Sequence, residues 1–192
     1  MKLTSMTTSE LLAAFRSSEP TPGGGSASAL AGAVGASLLA MVAGLPKPKA
    51  ATDQDLQQLG ETGAQCTALA AQLEALIDED SASYDLVVGA FRMPKGTDEE
   101  KAARTTGIQR ALTAATEAPL NVMRRCAEAL ALAPTIAALG NQNASSDVAV
   151  ARALLSAGLS GARENVEINL GSLKDEAYVA RIREESTSLM KP

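Results

Sequence analysis

A chain without a single histidine must do its acid–base chemistry with other groups, carboxylates first among them. Two places here put carboxylates where they could act. Asp78, Glu79, Asp80 and Asp85 sit in a helical run flanked by Leu76, Ile77, Leu86, Val87 and Val88. Helical spacing brings Asp78, Ser81 and Asp85 near one another and sets Asp80 on one face with Tyr84. A solvated acidic face gives the same pattern. The apolar flanks argue instead for a carboxylate at the edge of a core or cleft, able to hold a cation or take a proton. The second place is Asp147, just inside an apolar stretch and directly after Gly140-Asn141-Gln142-Asn143-Ala144-Ser145-Ser146. So many amides and hydroxyls at a helix junction form either a capping network or a polar binding surface. Asn165 and Asn169, four residues apart on one helical face, either bond a neighbouring helix or meet a ligand.

The elements that must position these residues are helices. Alanine and leucine dominate, β-branched runs are rare and no alternating strand pattern is convincing. A first helix spans residues 7–17, capped by Thr7 or Thr8. Pro20-Thr21-Pro22-Gly23-Gly24-Gly25-Ser26 follows as a glycine-rich loop leading into an uncharged helix over residues 29–45. Bare backbone at a helix N-terminus is a seat for an anion or a polar ring, though the spacing is not that of a phosphate loop. Pro46-Lys47-Pro48-Lys49 makes a basic turn. A long helix covers residues 53–92. Thr97-Asp98-Glu99-Glu100 starts another, with Glu100 at the capping-box position, Pro119 as a kink and an end near residue 131. Pro134 opens a separate short helix, residues 143–170 form the next, and Ser172 caps a last one to residue 189.

Composition removes several function classes. The formal net charge is −5 and no long basic run exists, which argues against nucleic acid as the main partner. Two Tyr, two Phe and no Trp give no stacking platform. Cys66 and Cys126 form no C-x-x-C pair and read as reduced core residues of a cytoplasmic protein. Without histidine the common zinc sites are gone, and no metal is expected. The uncharged helix has the length of a membrane span, but its small residues suit close packing in a soluble core. The 192 residues are expected to form one domain, and the uncharged helix suits packing against a second copy in a homodimer.

Taken together, the motifs resemble the cyclodeaminase/cyclohydrolase family of folate enzymes. The carriers are the 20–26 loop with its Ala/Gly helix, Asp80 with Tyr84 and Asp85, the stretch from Pro94-Lys95-Gly96 to Arg104, the 140–147 junction, and Asn165-Val166-Glu167-Ile168-Asn169. One place departs: Leu45-Pro46-Lys47-Pro48-Lys49 stands where the family commonly has a Thr and Gly-Lys. The resemblance implies an all-α bundle of long helices like the formiminotransferase-cyclodeaminase C-terminal domain, a homodimer, and a folate cleft near the dimer interface. It implies hydrolysis of 5,10-methenyltetrahydrofolate to 10-formyltetrahydrofolate. The alternatives are cyclodeamination of formiminotetrahydrofolate with release of ammonia, and a non-catalytic helical scaffold or small-molecule binder. No cofactor is expected beyond the folate substrate itself. On this reading Asp147, with Asp80 and Asp85, carries catalysis. Gly23, Gly24, Gly25, Ser26, Asn141, Asn143, Asn165 and Asn169 hold substrate, and Lys47, Lys49, Lys95 and Arg104 are cations for the cleft or the glutamate tail.

Overall fold

The computed structural model describes residues 2–46 and 51–191. Among the described residues there are six α-helices: α1 (Thr8–Phe15), α2 (Gly24–Gly44), α3 (Asp53–Phe91), α4 (Asp98–Leu139), α5 (Ser145–Leu170) and α6 (Glu176–Leu189). Short 3₁₀ turns lie at Leu3–Ser5 and Gln142–Ala144, and the described residues contain no strand.

Helices α2 to α5 form an up-down-up-down bundle. α2 packs along α3 on one side and α5 on the other, with α4 across the core. The uncharged composition of α2 explains this position, because glycine and alanine let its neighbours come close. A Cβ at Gly32 would lie 2.7 Å from Cys126 Sγ, and one at Gly35 would lie 2.8 Å from the Ala151 carbonyl oxygen. Leu39, Leu73, Leu120, Met123, Ile136 and Leu155 fill the space between, all fully buried. With so few aromatics, this close approach is what brings the core to native density. Cys66 and Cys126 are both buried in it and unpaired.

Capping fixes where three helices begin. Thr7 with Glu10, Thr52 with Asp55, and Thr97 with Glu100 form reciprocal capping boxes. Glu100 also accepts the Gly96 N–H at 2.7 Å and so closes the turn between α3 and α4. At the N-terminus, the Leu3 N–H and Thr4 Oγ1 donate to the Asp78 carboxylate at 2.6 and 2.7 Å. α6 attaches through Arg124 on α4, whose Nε donates to Glu185 at 2.6 Å, and through Tyr178 Oη, which donates to Glu117 at 3.0 Å.

Four sequence expectations are corrected. Gly24 and Gly25 belong to the first turn of α2, not to a loop, and none of the described glycines has positive φ. α4 runs unbroken through Pro119 and Pro134, so Pro134 opens no new helix. Ala133 and Ile136, both fully buried, hold the helix in register past a proline that stands exposed on its outer side. α5 begins at Ser145 after a 3₁₀ turn. The cap of α6 is Asp175, whose carboxylate accepts the Tyr178 N–H at 3.0 Å; it is not Ser172.

Candidate active site

The N-terminus of α2, the upper part of α3 and the C-terminal end of α5 meet around a cleft of about 250 Å³. Pro20, Thr21, Gly23, Gly24 and Gly25 form one wall, Asp80, Tyr84 and Val87 a second, and Asn165, Ile168 and Asn169 a third, with Ala115 behind. Helix geometry selects these side chains. Asp80, Tyr84 and Val87 recur at four and three residues along α3, as do Asn165, Ile168 and Asn169 along α5. Most of the lining is apolar, with few polar groups converging, which is the usual make-up of a small-molecule site.

Asp80 is the charged group in this cleft. Burial pushes its carboxyl above the ordinary aspartate range, and hydrogen bonds from the Ser26 hydroxyl and backbone N–H partly oppose that. Ser26 itself is completely buried beneath the carboxylate and does not line the cleft. Its hydroxyl lies 2.9 Å from the Ile77 carbonyl, 3.1 Å from Asp80 Oδ2 and 3.2 Å from Ser81 Oγ. One hydroxyl proton serves one acceptor at a time. When Asp80 is ionised, Ser26 can donate to it. When Asp80 is protonated, it can donate to Ser26, which turns its own proton to Ile77. The carboxyl can therefore gain or lose a proton without orphaning a partner. Ser26 is a positioning residue for Asp80 rather than a substrate contact.

The glycines let the carboxylate sit where it does. A Cβ at Gly25 would overlap the Asp80 carboxylate, one at Gly24 would touch Asn165 Nδ2 at 3.3 Å, and one at Gly23 would meet the Pro20 carbonyl at an ordinary 3.6 Å. Close approach, not positive φ, is what demands glycine. The α2 N–H groups also point their dipole at this end. Asn165 Nδ2 donates to the Gly161 carbonyl at 2.8 Å, and Asn169 Nδ2 donates to the Ala115 carbonyl at 2.9 Å. Both amides are thereby anchored, and each keeps its Oδ1 as an acceptor beside the cleft.

Other expected site residues lie elsewhere. Asp85 is exposed and off the cleft, because five residues beyond Asp80 is about 140° round the helix. Arg104 donates to the Phe91 carbonyl at 3.1 and 3.3 Å and stacks over the Phe91 ring, tying the α3–α4 turn. That turn carries exposed Lys95 and begins past Phe91, which is about 10 Å beyond Tyr84 along α3. Lys47 and Lys49 lie outside the described residues. Asn141 donates to the Pro46 carbonyl at 2.8 Å and accepts the Asn143 N–H at 3.0 Å, so it caps and tethers this junction. Asn143 is exposed. Asp147, in the first turn of α5, stands 18 residues before Asn165, or about 27 Å along the helix. The chain does not bring its own Asp147 to its own Asp80. Among the described residues no cluster of three metal-ligating side chains occurs. Of the lining residues that sequence reasoning missed, Val87 shares the helical face of Asp80 and Tyr84 and was findable. Ala115 carries no signal at all.

The chain is similar to several known proteins. A profile described as formiminotransferase-cyclodeaminase matches residues 7–188. Methenyltetrahydrofolate cyclohydrolase of Methylorubrum extorquens is 42% identical over 177 residues, 91% of this chain and 84% of that protein. Formimidoyltransferase-cyclodeaminase of Rattus norvegicus is 32% identical over 170 residues, 88% of this chain but 31% of the rat protein. The crystal structure of formiminotetrahydrofolate cyclodeaminase from Thermotoga maritima superposes with a TM-score of 0.86 over 98% of this chain and 90% of that one, at 24% identity. At that identity the structural likeness speaks for the fold.

Proposed function

The chain belongs to the formiminotransferase-cyclodeaminase family, and from that premise we infer that it hydrolyses 5,10-methenyltetrahydrofolate to 10-formyltetrahydrofolate. The observation that carries this reading is the 42% identity to a methenyltetrahydrofolate cyclohydrolase across nearly the full length of both chains. The cleft supplies matching chemistry. The methenyl bridge joins two folate nitrogens as an amidinium cation. Asp80 is a half-buried carboxylate facing such a cation. At about 4 Å and an effective dielectric of about 20, the attraction is on the order of 4 kcal/mol, which offsets the burial of the charge.

Water adds to the bridging carbon, forming a C–O bond, and the amidinium π pair moves to nitrogen. One proton leaves the water for Asp80 and then for solvent. The tetrahedral carbon next expels N5: the C–N5 bond breaks, the pair stays on N5, and the hydroxyl proton ends on that nitrogen. The product is the formyl group on N10, and one proton is released overall. Asn165 and Asn169 offer acceptors to the donors of a pterin ring, and Tyr84 and Ile168 stand at the mouth. A cleft of about 250 Å³ takes a ring system, so the glutamate tail extends past it. Lys95, exposed on the turn after α3, is a candidate cation for that tail.

Cyclodeamination is the second reading. It is favoured by the 32% identity to the rat formimidoyltransferase-cyclodeaminase, and both reactions pass through a tetrahedral carbon bearing nitrogens. Parallel assays decide. Loss of methenyltetrahydrofolate absorbance on adding protein supports hydrolysis. Ammonia release from formiminotetrahydrofolate without that loss supports deamination. Binding without turnover of either substrate leaves a scaffold.

A further inference from the structure

Serines inside these helices share a habit: the hydroxyl turns back and donates to the carbonyl four residues earlier. Ser28 does so to Gly24 at 2.7 Å, Ser37 to Ala33 at 2.7 Å and Ser83 to Glu79 at 2.8 Å. Ser81 breaks the habit. The carbonyl four residues before it belongs to Ile77, and that oxygen accepts from Ser26 Oγ on α2 at 2.9 Å. The Ser81 hydroxyl is instead 3.2 Å from Ser26 Oγ, which in turn lies 3.1 Å from Asp80 Oδ2. Asp80, Ser26 and Ser81 thus form a continuous chain of oxygens within hydrogen-bond reach.

The chain leads out of the cleft. Asp80 lines the cleft, and Ser26 is completely buried beneath it. Ser81 follows Asp80 by one residue, about 100° round α3; it lines no part of the cleft and is half-buried. Asp85 is exposed one helical turn beyond Ser81, so a negative charge stands where the chain ends.

The reaction needs such an exit. Asp80 takes a proton from the attacking water and gives it up before N5 is expelled, while the tetrahedral carbon is still bound. A ring system fills a cleft of about 250 Å³, so the way out through the mouth is blocked at that moment. The buried hydroxyl behind the carboxyl is the side that stays open.

We propose that Ser26 and Ser81 form a relay that carries the proton of Asp80 from the occupied cleft to the solvent face of α3. This rests on the folate reading of that cleft. The protonated carboxyl donates its proton to Ser26 Oγ, the Ser26 proton passes to Ser81 Oγ, and the Ser81 proton passes to water. Each serine oxygen gains one proton as it loses another, and Asp80 ends as a carboxylate. Rotation of the two hydroxyls resets the chain. Ser81 touches no substrate and acts only through Asp80.

Ser81→Thr and Ser81→Val share a shape and differ in the hydroxyl, so the pair separates the relay from packing. Each is assayed for methenyltetrahydrofolate turnover in light and heavy water and across pH, beside a thermal melt. Ser81→Thr should keep wild-type turnover. Ser81→Val should lose roughly tenfold, short of the 10²–10⁴ of a lost acid–base group, because Asp80 itself stays in place. Its solvent isotope effect should exceed that of the wild type, since shedding the proton becomes slow. The acid limb of its kcat/KM should not move, because Asp80 exchanges protons through the open mouth when the cleft is vacant. Ser81→Ala repeats the test should the valine variant not fold. Wild-type turnover in Ser81→Val or Ser81→Ala overturns the relay, as does an equal loss in Ser81→Thr. A loss with an unchanged isotope effect or a shifted acid limb also overturns it and leaves Ser81 as a brace for Asp80. A wild type that turns over no methenyltetrahydrofolate overturns the folate reading and the relay with it, whereas an active wild type beside an unaffected Ser81→Val overturns the relay alone.

Discussion

Alanine substitution at the three consecutive glycines should separate site from scaffold in one series. At Gly25 the added Cβ would lie 2.6 Å from Asp80 Oδ2 and closer still to Oδ1. Ordinary contact begins near 3.4 Å, so the carboxylate must retreat by about 1 Å or more. That movement strains its 3.1 Å hydrogen bond with Ser26 and displaces the charge from the reacting carbon. A misplacement of about 1 Å costs roughly 10² in rate, so Gly25→Ala should lose about that much in kcat. Helix stability should not fall in parallel, since alanine is favoured over glycine inside a helix by about 1 kcal/mol. At Gly24 the contact is Asn165 Nδ2 at 3.3 Å, the tip of a side chain that can give slightly; a change within about tenfold in KM is expected. At Gly23 the contact is ordinary and φ is −121°, so turnover should be unchanged, with up to about 1 kcal/mol lost from a poorer helix cap. The assay is kcat and KM on methenyltetrahydrofolate beside a thermal melt of each variant. Full activity in Gly25→Ala, or equal losses at all three positions, would refute the reasoning.

Because burial raises the Asp80 carboxyl and a bound cation would lower it again, the acid limb of kcat/KM should lie above the ordinary aspartate range and that of kcat at lower pH; coincident limbs count against Asp80 facing the cation. Gly35→Ala should cost about 1–3 kcal/mol in denaturant unfolding, since its Cβ would lie 2.8 Å from both the Ala151 carbonyl and Leu155 Cγ. Burial pushes Cys66 up to about 11 and Cys126 up to about 12, so both thiols should resist iodoacetamide at pH 8 and react only on unfolding.

Much of the fold was legible because its signals are local. Thr97 with Glu100 announced a capping box, and the apolar periodicity placed all six helices. The site was legible where one helical face carried it: Asp80 with Tyr84, and Asn165 with Asn169. Errors arose where burial overrode propensity. Gly24 and Gly25 look like loop residues, yet packing against Asp80 and Asn165 draws them into α2. Pro134 looks like a helix start, yet Ala133 and Ile136 anchor the helix on either side of it. Asp85 joined Asp80 in the catalytic set through the family resemblance, although the helical period sends it to another face. Ser26 and Ala115 were not legible as to role, because only the pairing of helices decides that one lies under the carboxylate and the other behind the cleft.

The most direct test of the account compares wild type and Asp80→Asn in the absorbance assay for methenyltetrahydrofolate, with a melt of each at the assay pH. An elevated carboxyl pKa in the folded state means that this group's contribution to stability is lost as pH rises through that pKa. Removing the charge at neutral pH should therefore leave the melting temperature equal or higher. Turnover should fall by roughly 10²–10⁴, the range for a lost acid–base group. A folded Asp80→Asn protein that clears methenyltetrahydrofolate at near wild-type rate would contradict the account.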